Sequence, residues 1–188
     1  MILVNETLYH FRDGRRKNAN WMIGNEFIVD DSYQCHTCGD VIPIDPDIPL
    51  IEKKIEYYSM SNDVNLSFDK AEKMLELCRT ENHPELISRL NCMYFCDKNS
   101  LEFWSHKFPS YYELFEVVLN GEAFKSSSLF FPFAAANCTY EDFIRLCEKY
   151  WTPDLDSEEV NEYNEYLFRG SVFVREKLDI NKVRNRYN

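Results

Sequence analysis

Glycine is scarce in this chain of 188 residues, which has five, at positions 14, 24, 39, 121 and 170. No two of them have the spacing of a dinucleotide fingerprint, and none opens a phosphate loop closed by Lys and Ser or Thr. A His-Glu-x-x-His metal helix and a serine flanked as in a nucleophile elbow are missing too. Any nucleotide or metal site must therefore be assembled from side chains scattered along the fold. No run reaches the roughly 18 to 20 apolar residues that cross a bilayer, so no membrane anchor is expected. Positive charge is in deficit: 21 Lys and Arg face 32 Asp and Glu, for a formal charge of -11 and a pI near 4.8. Over the molecule as a whole such a field repels nucleic acid. No charged-then-apolar leader is seen, and the seven cysteines are an odd number spread through regular segments, which fits a reducing, cytoplasmic setting.

Apolar material is plentiful, with 45% hydrophobic and 15% aromatic residues, enough for the core of one domain over residues 1–188. An early strand around Leu8 to Arg12 is followed by a basic loop, then by a turn and second strand from Trp21 to Val29. Asp30 to Pro49, with three prolines, reads as a long loop. Ala71, Met74, Leu75 and Cys78 recur at helical spacing, and Ser67 is placed to cap that helix. Asn91 to Cys96 reads as a buried strand, followed by a short helix carrying Leu101, Trp104 and His106. Tyr112 to Leu119 reads as a strand ending in an Asn120-Gly121 hairpin turn. Thr139 opens a second amphipathic helix, with Ile144, Cys147, Tyr150 and Trp151 on its buried stripe and Pro153 after its end. An acidic stretch then leads to a last strand, Glu165 to Glu176. Strands and helices do not alternate regularly, so a doubly wound sheet is not expected and an α+β fold is.

Three separated segments place a polar residue at an apolar strand: Leu8-Tyr9-His10, Ser88-Arg89-Leu90 running on to Tyr94, and Glu165-Tyr166-Leu167 with Gly170. Together with Trp21-Met22-Ile23-Gly24, Phe103-Trp104 and Tyr150-Trp151, their spacing resembles a family of bacterial domains related to ADP-ribosyltransferases. The resemblance covers most of the chain. It implies a split pair of small, mainly antiparallel sheets with flanking helices, around a cleft that binds NAD without a glycine fingerprint. It further implies a His-Tyr-Glu triad, in which His10 bonds the adenosine ribose, Tyr94 stacks on nicotinamide and Glu165 is the catalytic acid at the nicotinamide ribose. Arg89 is a candidate for the pyrophosphate.

The chemistry suits those residue types. Cleaving the glycosidic bond of NAD builds positive charge on the ribose carbon, which a fixed carboxylate stabilises. The implied activity is transfer of ADP-ribose to a macromolecular acceptor, protein or nucleic acid, in a toxin or defence effector. A basic antitoxin or regulatory protein is the implied partner, because the chain itself is acidic. The other reading is a catalytically silent interaction module on the same scaffold. Each residue also has a plain role: Glu165 as one of several solvated acids, with Glu162 its nearest rival, Tyr94 and His10 as core side chains, and Arg89 in an ion pair. Cys35-His36-Thr37-Cys38 lacks a second Cys-x-x-Cys, and a zinc shared with Cys92 and Cys96 is disfavoured, so no metal is expected. Arg15-Arg16-Lys17 and the basic end with Arg175, Lys177, Lys182, Arg184 and Arg186 make a positive surface only if the fold joins them; otherwise they are solvated faces.

Overall fold

Alternating burial marks the first strand, β1 (Ile2–Asp13), where Leu3 and Leu8 are buried while Ile2 and Val4 are exposed. The computed structural model describes residues 1–16, 18–33, 68–131, 140–156 and 158–184. Four further strands follow: β2 (Glu26–Val29), β3 (Met93–Phe95), β4 (Tyr112–Ser127) and β5 (Asn164–Leu178). All pair antiparallel in one sheet of order β1-β4-β5-β2, with β3 also on β5. The α+β class is as expected. The described strands hydrogen-bond into a single sheet because β4 and β5, 16 and 15 residues long, are long enough to carry all the other pairings. β3 and β2 lie end to end along one edge of β5, through Met93↔Phe168 and Val29↔Gly170.

One isolated bridge joins β1 back to the chain just after β3. Tyr9 and Cys96 exchange two backbone hydrogen bonds of 2.9 Å each, so the pairings β1–β4–β5–β3–β1 return to their start. The inner face of this ring collects Leu8, Trp21, Phe95, Phe115, Val117, Phe168, Val172 and their neighbours into one buried cluster. On the other face, α1 (Phe68–Asn82) and α3 (Tyr140–Trp151) pack over Leu167, with Leu75, Cys78, Cys147, Tyr150 and Trp151 between them. Farther along, α2 (Leu101–Lys107) and α5 (Ile180–Arg184) cover Leu114 and Cys96. Each fully buried Leu or Val in these layers contributes about 1.5–3 kcal/mol relative to exposure.

α1 and α3 fall where the apolar periodicity predicts; the capping residues Ser67 and Thr139 lie outside the described residues. Ser100 precedes α2 as its N-cap, yet its side chain makes no cap bond. Asp97 does the work instead, accepting from Asn99 and Ser100 amides at 3.0 and 3.1 Å. The acidic stretch before β5 contains one turn of helix, α4 (Glu158–Asn161).

Asn120-Gly121 is not a hairpin turn. β4 runs straight through it, and Gly121 sits opposite Gly170 of β5. A Cβ on Gly121 would lie 2.3 Å from the Arg169 carbonyl oxygen, and one on Gly170 would lie 2.4 Å from that of Asn120. Facing glycines let the two backbones approach closely at mid-ribbon.

Candidate functional site

Arg89 begins a single 3-10 turn, Arg89–Asn91, whose N-cap Ser88 accepts the Leu90 amide at 3.2 Å. That turn drives the guanidinium beneath α1 and α3, where it is only 4% exposed. Its Nε and Nη2 donate to the two carboxylate oxygens of Glu72 at 2.7 Å each, the bidentate geometry that a planar guanidinium favours. Nη1 donates to both the Glu165 carboxylate and the Tyr150 hydroxyl, and that hydroxyl donates to the same oxygen of Glu165. Rings of Tyr150 and Tyr94 lie 4.8 and 5.0 Å from the guanidinium carbon. Tyr94 closes the cage by donating its hydroxyl to the Arg89 carbonyl at 2.9 Å.

Burial works against a charge on Arg89, but Glu72 first, then the surrounding phenols and Glu165, outweigh it and raise the guanidinium pKa well above its ordinary value. The Tyr150 phenol is pushed up as well, by burial and then by Glu165, against the opposing pull of Arg89. Glu72 and Glu165, 0% and 6% exposed, thus share one internal cation. Glu165 Oε1 is used twice, by groups that are themselves buried.

Tyr94, Arg89 and Glu165 are therefore brought together, but His10 does not join them. Tyr94 pairs with Leu167 and shares its helix-covered face, whereas His10 pairs with Phe115 on the inner face. The His10 ring stacks on Trp21 at 4.4 Å and 11°, and tilts against Phe95 at 5.4 Å. It touches Tyr94 only through the backbone: Nδ1 bonds the Tyr94 carbonyl oxygen at 2.8 Å. A carbonyl only accepts, so Nδ1 carries the proton. Burial lowers the His10 pKa to about 4, opposed by the Tyr94 bond and aided by Arg12. The expectation that His10 and Glu165 face one cavity is thus corrected, and strand alternation is the reason. Glu162 is exposed and stands outside the network.

The same residues that build this arrangement, from Leu8 through Ile180, match one family along nearly the whole chain, over residues 8–180. The chain belongs to the family described as Protein of unknown function (DUF2441). No curated protein matches it.

In this DUF2441 domain a cleft of about 430 Å³ opens beside the buried network, within the range typical of small-ligand sites. It is walled by Glu76 and Arg79 of α1, by the segment from Pro84 to Ser88 with Leu90 and Asn91, and by Asp31, Glu122 and Arg169. His10, Tyr94 and Glu165 do not line it. Both guanidiniums of the cleft are matched. Arg79 binds Glu76 at 2.8 Å and the carbonyls of Pro84 and Leu86 at 3.0 Å each. Arg169 pairs with Asp31 and donates to the Asn91 carbonyl at 3.0 Å. Glu85 and Glu122 are exposed and have no ion pair among the described residues. The sequence reading missed Glu72, Glu76, Glu85 and Glu122. The first two lie off the Ala71-Met74-Leu75-Cys78 stripe of α1, so helical spacing does not mark them, yet they are 0% and 5% exposed.

The Cys35-His36-Thr37-Cys38 motif lies outside the described residues. Cys92 and Cys96 are buried in two different clusters, and no group of three metal-ligating side chains occurs among the described residues.

Proposed function

We propose that this chain is an interaction module whose acid-lined cleft takes a basic segment of another protein, with the Glu72–Arg89–Glu165–Tyr150 network holding the wall of that cleft in shape. The observation that carries this reading is the charge state of the cleft. Among the described residues four carboxylates line it, its two guanidiniums are already neutralised, and Glu85 and Glu122 have no ion pair, so that they can receive a Lys or Arg. The wall is stiff because Ser88 and Leu90 flank the caged Arg89. The test is binding of a labelled Lys/Arg-rich peptide, compared between the natural chain and Glu85→Gln/Glu122→Gln. Roughly 3- to 10-fold weaker binding by the double variant at low salt is expected; equal affinity removes the cleft from the interaction.

ADP-ribosyl transfer from NAD is the second reading, with an ADP-ribosyltransferase-like split-sheet architecture and a protein or nucleic-acid acceptor, as in a toxin or defence effector. One observation favours it: the strands bearing His10, Tyr94 and Glu165 are successive neighbours, β1 to β3 to β5. In this reading Glu165 exchanges its internal partners for the nicotinamide ribose and Arg89 meets the pyrophosphate. Incubation with labelled NAD and a cell extract separates the two. Label transferred by the natural chain and lost in Glu165→Gln establishes the enzyme and overturns the module.

A further inference from the structure

The two short basic runs, one after β1 and one near the end of the chain, lie far apart in sequence, and the fold joins them. Arg12 and Lys177 both reach Glu113 at the start of β4, at 3.3 and 2.7 Å. Arg15 and Arg16 follow β1 and share Asp13 at 2.8 and 3.9 Å. Arg184 of α5 folds onto the carbonyls of Ser105 and Phe108 at 2.8 and 2.6 Å, beside Lys107. Six cations thus gather at one end of a molecule whose overall charge is -11. Four of these cations share two carboxylates, Asp13 and Glu113, so this cluster of ion pairs carries more positive than negative charge.

The same end carries a ladder of aromatic rings. Phe11 stacks on Phe108 at 4.9 Å and 24°, Phe108 on Tyr112 at 4.7 Å and 28°, and Tyr112 meets Tyr111 at 5.3 Å and 38°. The Arg15 guanidinium caps the ladder, 3.9 Å above the Tyr111 ring. Tyr111 is 42% exposed and the side chains of Arg15 and Arg16 are 64% and 60% exposed, so the outer rungs face solvent.

We propose that this end of the molecule is a binding surface for single-stranded nucleic acid. Bases continue the stack over Arg15 and Tyr111, and phosphates lie along Arg12, Arg16, Lys107 and Lys177. Planar rings next to cations are what an unpaired strand needs, because every base offers a π-face and every linkage a charge. A duplex hides its bases, and an acidic protein has no use for the ladder. Repulsion by the rest of the chain keeps the affinity low and the contact confined to this end.

The test is fluorescence anisotropy of a labelled oligothymidine of about 12 nucleotides at roughly 50 and 200 mM salt. Binding that weakens with salt is expected. Tyr111→Ala should weaken it roughly 5- to 150-fold, and Arg15→Ala/Arg16→Ala should make the dependence of log affinity on log salt shallower by about 0.7, the share of the one phosphate held by Arg16. All three positions are exposed, and unchanged thermal midpoints will show that the variants remain folded. No binding at the lower salt overturns the proposal. So does binding that Tyr111→Ala leaves intact while polyglutamate competes equally well, which would assign the surface to an acidic protein.

Discussion

Arg89 is the shared cationic partner of two buried carboxylates, Glu72 and Glu165. Removing it leaves Glu72 and Glu165 buried without a cation, and breaking such a pair on one side is far more damaging than replacing the whole pair. Arg89→Met should therefore lower stability by about 3–5 kcal/mol in urea unfolding. Tyr150→Phe, which removes one hydroxyl and spares the ion pair, should lower it by about 1–3 kcal/mol. Equal effects would mean that the hydroxyl, and not the charge, organises the site. His10 gives a second prediction. Its folded pKa of about 4 lies below the ordinary 6.5, so the unfolded chain takes up the proton first as pH falls. The His10 contribution is complete above the unfolded value and is lost progressively down to about 4, amounting to roughly 3 kcal/mol. His10→Phe, which keeps a ring against Trp21, should flatten stability between these pH values; an unchanged slope would show that other groups carry the dependence. At this scale the sequence made Arg89, Tyr94 and Glu165 legible as companions. It could not place His10, since β3 is three residues of unbroken apolar character and nothing local tells which face Tyr94 takes. Glu72 escaped as well, because an acid near the start of a helix and off its apolar stripe reads as a solvated group.

Elements were legible where periodicity was strong and misread where one dipeptide served two purposes. The apolar stripes of α1 and α3 gave their positions because helical spacing is a local property. Asn120-Gly121 read as a turn for an equally local reason, but its role is decided by Gly170, a partner distant in sequence. Two backbones that nearly touch leave no room for a methyl group on either strand, and the obstructing atoms are main-chain ones that cannot swing away. Gly121→Ala and Gly170→Ala should each lower the thermal midpoint by an amount equivalent to about 2–4 kcal/mol, while Gly24→Ala, whose Cβ would meet nothing within 4 Å, should do so by no more than about 2 kcal/mol. If all three variants melt alike, the close approach of β4 and β5 is not what requires glycine.

Over the whole molecule, charge is distributed more unevenly than composition suggests. The acidic total set an expectation of a basic partner and of repulsion from nucleic acid, and it could not reveal that cations from both ends of the chain meet at Glu113, because that meeting depends on the register of three strands. With a charge of -11, association with a basic protein should be steered at long range, so its on-rate should fall steeply as salt rises, while the dissociation rate changes little. Stopped-flow measurements at two ionic strengths will separate these rates, and a salt effect confined to dissociation would place the recognition in short contacts alone.

The bridge between Tyr9 and Cys96 gives this architecture a place to come undone. Every other join in the circle of strands is a ladder of three or more paired residues, whereas here two amides carry the closure. Breathing should begin at that seam, so the Tyr9 and Cys96 amides should exchange with deuterated solvent sooner than those of Val117 and Val172, and parting them exposes the aromatic interior that holds His10.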